Sequence, residues 1–413
     1  MIRPPSAAGL RRNWNVIAIL VLVNAFVGTM VGVERTLVPL LGETVFLLGS
    51  KVALLSFIVT FGVAKAISNL VAGTRSETLG RRRVLIAGWV VGLPVPIVLM
   101  FAPPPYWWLI VLANVLLGVN QGLCWTMTLV SKVDISGEEH RGLVAGLNEF
   151  AGYASLAVAA FATGYLAASF GIRPVPFLIG VAAAIVGLIL STGLVPETVQ
   201  VARPQADPAA ARVGTLRPLW RFSFQERGMI PLNQAGLFTN FNDGVAWGLF
   251  PLLFATAISD TGIIGILVAL YPLTWGITQL VTGPLSDRIG RKSLISLGMI
   301  VQAVALVAIV QAPGPVSWGA FMVLLGLGTA MVYPTLIGAV GDSAPPPVRA
   351  SALGVYRFWR DAGLALGALT AGLIADVAGL APAIQAAAVV TFLSGLWVAL
   401  GFRGRSSERK DIP

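Results

Sequence analysis

Gly283-Pro284-Leu285-Ser286-Asp287-Arg288-Ile289-Gly290-Arg291-Lys292 stands between two long apolar runs, and its reading decides the fold. A degraded copy, Gly73-Thr74-Arg75-Ser76-Glu77-Thr78-Leu79-Gly80-Arg81-Arg82-Arg83, lies 210 residues earlier, again between apolar runs. A charged turn that recurs in so apolar a chain points to two related halves that move against each other.

Composition agrees. Of 413 residues, 56% are hydrophobic and 11% charged, against about a quarter charged in an ordinary soluble domain. Mean hydropathy is +0.83. A spanning helix needs about 20 apolar residues, and twelve such runs can be placed. They fall at 14–41, 50–72, 84–102, 106–130, 142–169 and 174–195, then at 230–257, 261–283, 292–311, 316–340, 348–376 and 380–402. A soluble helical array would need a polar outer face on each helix, and none is present. The expected fold is an all-α polytopic membrane protein of twelve helices. Its first half covers 1–195, a polar linker with Pro204, Pro208 and Pro218 covers 196–228, the second half covers 229–402, and a charged tail covers 403–413.

The basic residues orient it. Of 28 Lys and Arg, only Lys51 and Arg173 fall in loops on the side away from the termini, and Arg35, Lys65, Arg357 and Arg360 fall within spans. The others, Lys132 included, lie before the first span, in the loops on the side of the termini, in the linker or in the tail. This positive-inside asymmetry places both termini in the cytoplasm of a cell's inner membrane. It also accounts for the net charge of +10 without a nucleic-acid footprint. The lone Cys124 excludes an intrachain disulfide framework and a CxxC redox pair. The lone His140 excludes a histidine metal cluster. The run after Arg11-Arg12 is too long for a signal peptide. With no nucleophile–base set and no P-loop, neither an enzyme nor an ATP-driven machine is expected, nor any cofactor or metal. A receptor or scaffold would call for a signalling domain or long tail, which is not evident.

The halves repeat in detail. At a constant spacing of 208, Gly118 matches Gly326, Asp134 matches Asp342 and Arg141 matches Arg349. Gly146, Gly164 and Gly171 match Gly354, Gly372 and Gly379 without a gap, and Leu37-Val38-Pro39-Leu40 parallels Leu249-Phe250-Pro251-Leu252.

With these features the chain resembles the major facilitator superfamily (MFS). Its loop motif reads Gly-x-Leu-Ala-Asp-Arg-x-Gly-Arg-Lys. The copy from Gly283 to Lys292 matches nearly residue by residue, with Ser286 for Ala; the first copy departs at Arg75, Glu77 and Thr78. The resemblance implies two pseudo-symmetric six-helix bundles, transport of a small solute by alternating access, and a functional monomer. It also implies that the motif residues Gly73, Glu77, Gly80, Arg81, Gly283, Asp287, Arg288, Gly290, Arg291 and Lys292 gate the cytoplasmic side. Physically, glycine permits a tight turn, an acid suits a helix N-terminus, and the arginines can pair with Asp134 or Asp342. Such a cluster can latch the cytoplasmic ends, or it can serve only as a topology anchor. The family's drug–proton antiporters usually carry an arginine where this chain has Asn114, and a proline-containing motif where it reads Gly146-Leu147-Asn148-Glu149-Phe150-Ala151-Gly152. Both departures weigh against a conventional drug–proton antiporter.

Eight ionisable residues lie inside spans: Glu34, Arg35, Lys65, Glu149, Asp243, Arg357, Arg360 and Asp361. A charge at a helix centre costs about 2.5–3.5 kcal/mol on insertion scales, so these should line a polar cavity and pair with one another. Arg357, Arg360 and Asp361 share one helix face by their spacing, and Glu149 is the repeat counterpart of Arg357. Asn114, Gln121 and Trp125 on the fourth span, Asn240 and Trp247 on the seventh, and Tyr271 and Trp275 on the eighth are further cavity candidates. Each has a bland rival as packing or interhelical glue, and the charges have one as structural salt bridges.

The bases Arg35, Lys65, Arg357 and Arg360 could clamp an oxyanion. Glu34, Glu149, Asp243 and Asp361 could carry protons, since an acid shielded from water can titrate near neutrality; Glu149, Asp243 and Asp361 lead that set. The expected function is secondary active, proton-coupled transport of a small organic or inorganic anion. Efflux of a drug-like or hydrophobic solute is the alternative.

Overall fold

The computed structural model describes residues 9–137, 140–202, 219–344 and 349–402. The side-chain surroundings of positions 70, 73, 74, 77, 141, 202, 287 and 349–351 lie outside the described residues. Twelve long helices appear among the described residues. The first six are α1 (Trp14–Thr44), α2 (Lys51–Leu79), α3 (Arg81–Phe101, bent where Pro94 starts its second segment), α4 (Trp107–Ser136), α5 (Arg141–Phe170) and α6 (Val175–Gly193). After the linker come α7 (Ile230–Ala255), α8 (Thr261–Ile289), α9 (Arg291–Gln311), α10 (Pro315–Ser343), α11 (Arg349–Ala378) and α12 (Leu380–Gly401). All but α7 are long and apolar enough to cross a membrane. Asn233, Gln234, Asn240, Asn242 and Asp243 dilute α7, yet its 26 residues extend about 39 Å, beyond the ~30 Å hydrocarbon core.

Because twelve helices alternate in direction, α1 begins and α12 ends on one face, called here the terminal face. There Asn13, just ahead of α1, donates to the carbonyl of Ile135 at the end of α4 at 2.9 Å. The two bundles are built alike. In one, α1 packs on α5; in the other, α7 packs on α11. A Cβ on Gly32 would meet the Leu156 carbonyl oxygen at 2.3 Å, and one on Gly244 would meet that of Leu364 at 2.4 Å. Leu156 and Leu364 are 208 apart, so the spacing read in the sequence is the spacing of the packing.

The charged stretch of the opening differs from expectation. It is mostly helix, not turn: residues 283–289 form the last two turns of α8, and 73–79 those of α2. Only Gly290 and Gly80 break the chain, at φ +94° and +95°, a region that L side chains rarely adopt. Charge does not end a helix that has left the hydrocarbon; a residue that can leave helical geometry does. Asp134 and Asp342 likewise sit in the final turns of α4 and α10, not in loops.

Between bundles, α2 packs along α11 and α5 along α8. At the face opposite the termini the seam is tight. Thr261 donates to the Gly164 carbonyl at 3.2 Å. Asp376 of α11 accepts from the Ser50 hydroxyl at 2.7 Å, from the Val52 N–H at 3.2 Å and from the Lys51 N–H. Ser50 in turn accepts from Ala53 at 3.2 Å. The first turn of α2 is thus capped jointly by its own serine and by an acid of the other bundle. Asp376→Ala hands those N–H groups to water, a loss of about 1 kcal/mol by analogy with other N-caps. The expected result is about a fivefold shift toward states with this face open, read from spin-label distances between the α2 and α11 ends. An unchanged distribution would make the cap incidental.

Candidate transport site

At about 1.5 Å per residue, Lys65, Asp243 and Trp275 lie about 20 Å from the ends of their helices, near mid-depth. Most of the eight intramembrane charges meet there. Arg35 of α1 forms an ion pair with Asp243 of α7, and its guanidinium lies 5.5 Å from the Trp247 ring and 6.0 Å from that of Tyr271. Arg360 of α11 pairs with its neighbour Asp361 at 3.2 Å, donates to the Tyr153 hydroxyl of α5 at 2.8 Å, and lies 4.2 Å from the Tyr333 ring of α10. Asp361 also accepts from the Asn69 amide of α2. Glu149 of α5 accepts from the Trp125 indole at 2.9 Å, the Tyr333 hydroxyl at 3.0 Å and the Asn148 amide at 3.2 Å. Several of these bonds cross between bundles. They bind the halves through groups that can exchange partners.

The eight charges do not share one fate. Arg35, Asp243, Arg360 and Asp361 are consumed in two ion pairs. Lys65 and Arg357, both half-buried, have neither an ion pair nor a hydrogen bond among the described residues. The Lys65 ammonium lies 5.5 Å from the Trp125 ring and 5.8 Å from that of Phe61, with Asp361, Glu149 and Asp243 within electrostatic reach. Glu34 is fully buried, and neither carboxylate oxygen meets hydrogen-bond geometry with a partner among the described residues. The polar side chain beside it is Asn114, whose amide donates back to Ile110 at 3.1 Å and whose own oxygen is also unpartnered. The buried Trp247 and Trp275 indole N–H groups and the Gln279 amide nitrogen have no hydrogen-bond acceptor among the described residues. The site therefore holds unused donors and cations together with one isolated acid.

Other expected residues have plainer places. Gln121 is enclosed and donates to the Val27 carbonyl at 2.8 Å, tying α4 to α1. Asn240 donates to the Arg360 carbonyl at 2.9 Å, tying α7 to α11. Both are interhelical ties, not lining. Trp247 packs edge-on against Phe57 and Phe61. Trp275 stacks on Tyr153 at 3.7 Å, with Tyr271 behind it at 6.0 Å.

In the motif copies, Arg81 reaches Asp134 at 3.3 Å and Ser76, while Arg291 pairs with Asp342 and reaches Ser286 at 3.2 Å. The ion pairs join α3 to α4 and α9 to α10, and the serine contacts join α2 to α3 and α8 to α9; each lies within one bundle, so these pairs do not latch one bundle to the other. Arg288 is exposed and Lys292 half-buried. The contacts of Gly73, Glu77 and Asp287 lie outside the described residues; Gly283 is half-buried within α8.

Sequence reasoning misses Asn69, Tyr153, Tyr333, Asn148 and Lys132. Two of them are within its reach: Tyr153 follows Glu149 by one helical turn, and Tyr333 is the repeat counterpart of Trp125. Hydropathy places Lys132 with the cytoplasmic loops because Asp134 follows it. In fact α4 continues to Ser136, and Lys132 is 0% exposed.

Twelve helices in two like bundles, with charges paired across a mid-depth seam, define a polytopic helical membrane protein. The sequence profile of the Major Facilitator Superfamily matches residues 17–233 and again 232–413. The chain belongs to that superfamily and is a membrane transporter. An uncharacterised MFS-type transporter of Salmonella typhimurium (strain LT2) is 26% identical over 356 residues, covering 83% of this chain and 85% of that protein. Among solved structures, a D-xylose–proton symporter is similar with a TM-score of 0.77 at 17% identity, over 95% of this chain and 98% of that one. A structure of the nucleoside transporter NupG is similar with a TM-score of 0.71 at 15% identity, over 94% of this chain and 100% of that one. At such identities the structures establish the fold alone.

Proposed function

We propose that this protein is a proton-coupled secondary transporter of a small organic anion, working as a single copy in the inner membrane with both termini in the cytoplasm. The halves 1–195 and 229–402 rock about the mid-depth site, and the 196–228 linker and 403–413 tail lie on the cytoplasmic side. The observation that carries this reading is the division of the four intramembrane bases. Arg35 and Arg360 are each in an ion pair with an acid, whereas Lys65 and Arg357 form no ion pair among the described residues. An unpaired cation in a membrane is expensive, and a carboxylate or phosphate brought by the solute would complete it. The unused Trp275 and Gln279 donors point the same way, and the rings of Trp125, Tyr153 and Trp275 would cover an apolar body.

Coupling is assigned first to Glu34. A buried carboxylate with no ion-pair partner among the described residues and the Asn114 amide as the polar side chain beside it is costly to keep charged, so Glu34 is suited to gain a proton in one state and lose it in another. Asp243, Asp361 and Glu149 are already engaged and become secondary carriers. The aromatic lining would equally suit a neutral hydrophobic solute, so the test must separate the two. Proteoliposomes under an imposed pH gradient would be given a panel of organic anions and neutral analogues. Lys65→Ala and Arg357→Ala are expected to lose anion flux at least tenfold, the scale of one charge-assisted hydrogen bond, and to keep neutral-solute flux. Equal loss of both fluxes, or no loss, would discard the anion reading.

A further inference from the structure

Lys132 forms no ion pair among the described residues. It is 0% exposed, and its ammonium donates to Asn148 Oδ1 at 2.6 Å and lies 3.5 Å from the Leu20 carbonyl oxygen. The Thr128 hydroxyl is within reach of the same Asn148 oxygen at 3.1 Å and of Asn24 Oδ1 at 2.9 Å. Asn24 donates to the Asn148 backbone carbonyl at 2.7 Å. The other end of the Asn148 amide, Nδ2, donates to Glu149 Oε1 at 3.2 Å, and Glu149 Oε2 accepts from Tyr333 of the opposite bundle at 3.0 Å. One amide therefore stands between a buried ammonium and a carboxylate. Its orientation follows from chemistry, because the flipped amide would set NH₂ against NH₃⁺ and oxygen against carboxylate.

The fold does not require this network. In the second bundle the counterparts of Thr128, Lys132 and Asn148 are Leu336, Val340 and Tyr356, and Gly236 takes the place of Asn24 against Tyr356. The same helix contact is packed there without a charge. Enclosing an ammonium costs several kcal/mol unless geometry and hydrogen bonds offset it, and Glu149 is the acid whose charge reaches Lys132. The other groups around Glu149 are Trp125 of α4, Tyr333 of α10, Tyr153 of α5, Lys65 of α2, and Arg357 and Arg360 of α11. None of these orients the Asn148 amide.

We infer that Lys132 is a positioning residue for the transport cycle: through the Asn148 amide it aims Glu149 at Tyr333 and so holds α5 against α10 across the two bundles. The inference goes beyond the proposed solute and coupling and stands whatever the cargo is.

The test uses the purified full-length protein with spin labels on the terminal-face ends of α5 and α10. Lys132→Met is expected to raise the population with these ends apart about fivefold, the scale of one hydrogen bond. Tyr333→Phe should do the same, and the double variant should do no more than either, since both cut one chain. Lys132→Arg should restore most of the wild-type distribution. Should Lys132→Met fail to fold, Asn148→Leu cuts the chain with both charges kept and should give the same shift. Additive shifts, or an unchanged α5–α10 distribution in Lys132→Met or Asn148→Leu, would overturn the inference and leave Lys132 a local packing residue.

Discussion

Arg35→Ala is expected to destabilise the protein by about 3–5 kcal/mol, because it leaves Asp243 as an uncompensated charge at mid-depth. The pair is nearly sealed, with side-chain exposures of 3% for Arg35 and 11% for Asp243, so water can do little to replace the lost partner. Asp243→Ala should cost a similar amount, since Arg35 would then keep only the faces of Trp247 and Tyr271. A cation–π contact contributes about 0.5–2 kcal/mol, less than the ion pair it would stand in for. Arg35→Met combined with Asp243→Leu removes both charges and should recover most of the stability, as apolar replacements of buried pairs commonly do. Unfolding in detergent measures all three. Transport should not recover in the double variant, because the pair joins α1 to α7 across the bundles and a permanent apolar contact cannot be exchanged during the cycle. Equal losses in the single and double variants would show that the pair contributes shape and not charge.

Glu34→Gln is expected to lower pH-driven uptake by about 5- to 150-fold, the range of a typical coupling free energy between sites, while solute exchange without a gradient persists. The amide matches the neutral acid in shape and cannot release a proton. Because both carboxylate oxygens lack partners, the change breaks no hydrogen bond in this state, and folding should be nearly unaffected. Asp361→Asn is the contrasting case: it removes the charge beside Arg360 and should show first as reduced stability. If Glu34→Gln retains gradient-driven uptake and Glu149→Gln loses it, the coupling proton belongs to Glu149.

The two acids show how far the sequence can be read. Glu34 and Glu149 look alike as single acids within apolar runs, and the sequence reading sets Glu149, with Asp243 and Asp361, ahead of Glu34. Packing sets them apart. Glu149 meets three donors from three helices and both bundles, whereas Glu34 meets none. Lys132 makes the same point from the other direction. Hydropathy stops a span where charge begins, so Lys132, followed by Asp134, reads as a loop residue. The helix itself continues to Ser136, since helical hydrogen bonding joins backbone groups whatever the side-chain polarity. The motif of the opening shares that error: Gly283 to Ile289 is helix, and one glycine makes the turn.

By itself, the sequence determined that the chain crosses a membrane about twelve times, that its halves repeat, and that eight ionisable residues lie deep within the apolar runs. Those properties are written in local composition, in long apolar runs and in a constant spacing, all of which survive in one dimension. Only the tertiary structure decided which acid meets which base, which cations stay unpaired, and that Arg81 and Arg291 hold their own bundles. Partner choice depends on groups as far apart in the chain as Asn69 and Asp361, brought into contact by helix packing. With four acids and four bases in the apolar runs read from the sequence, nothing in their order along the chain distinguishes one pairing from another.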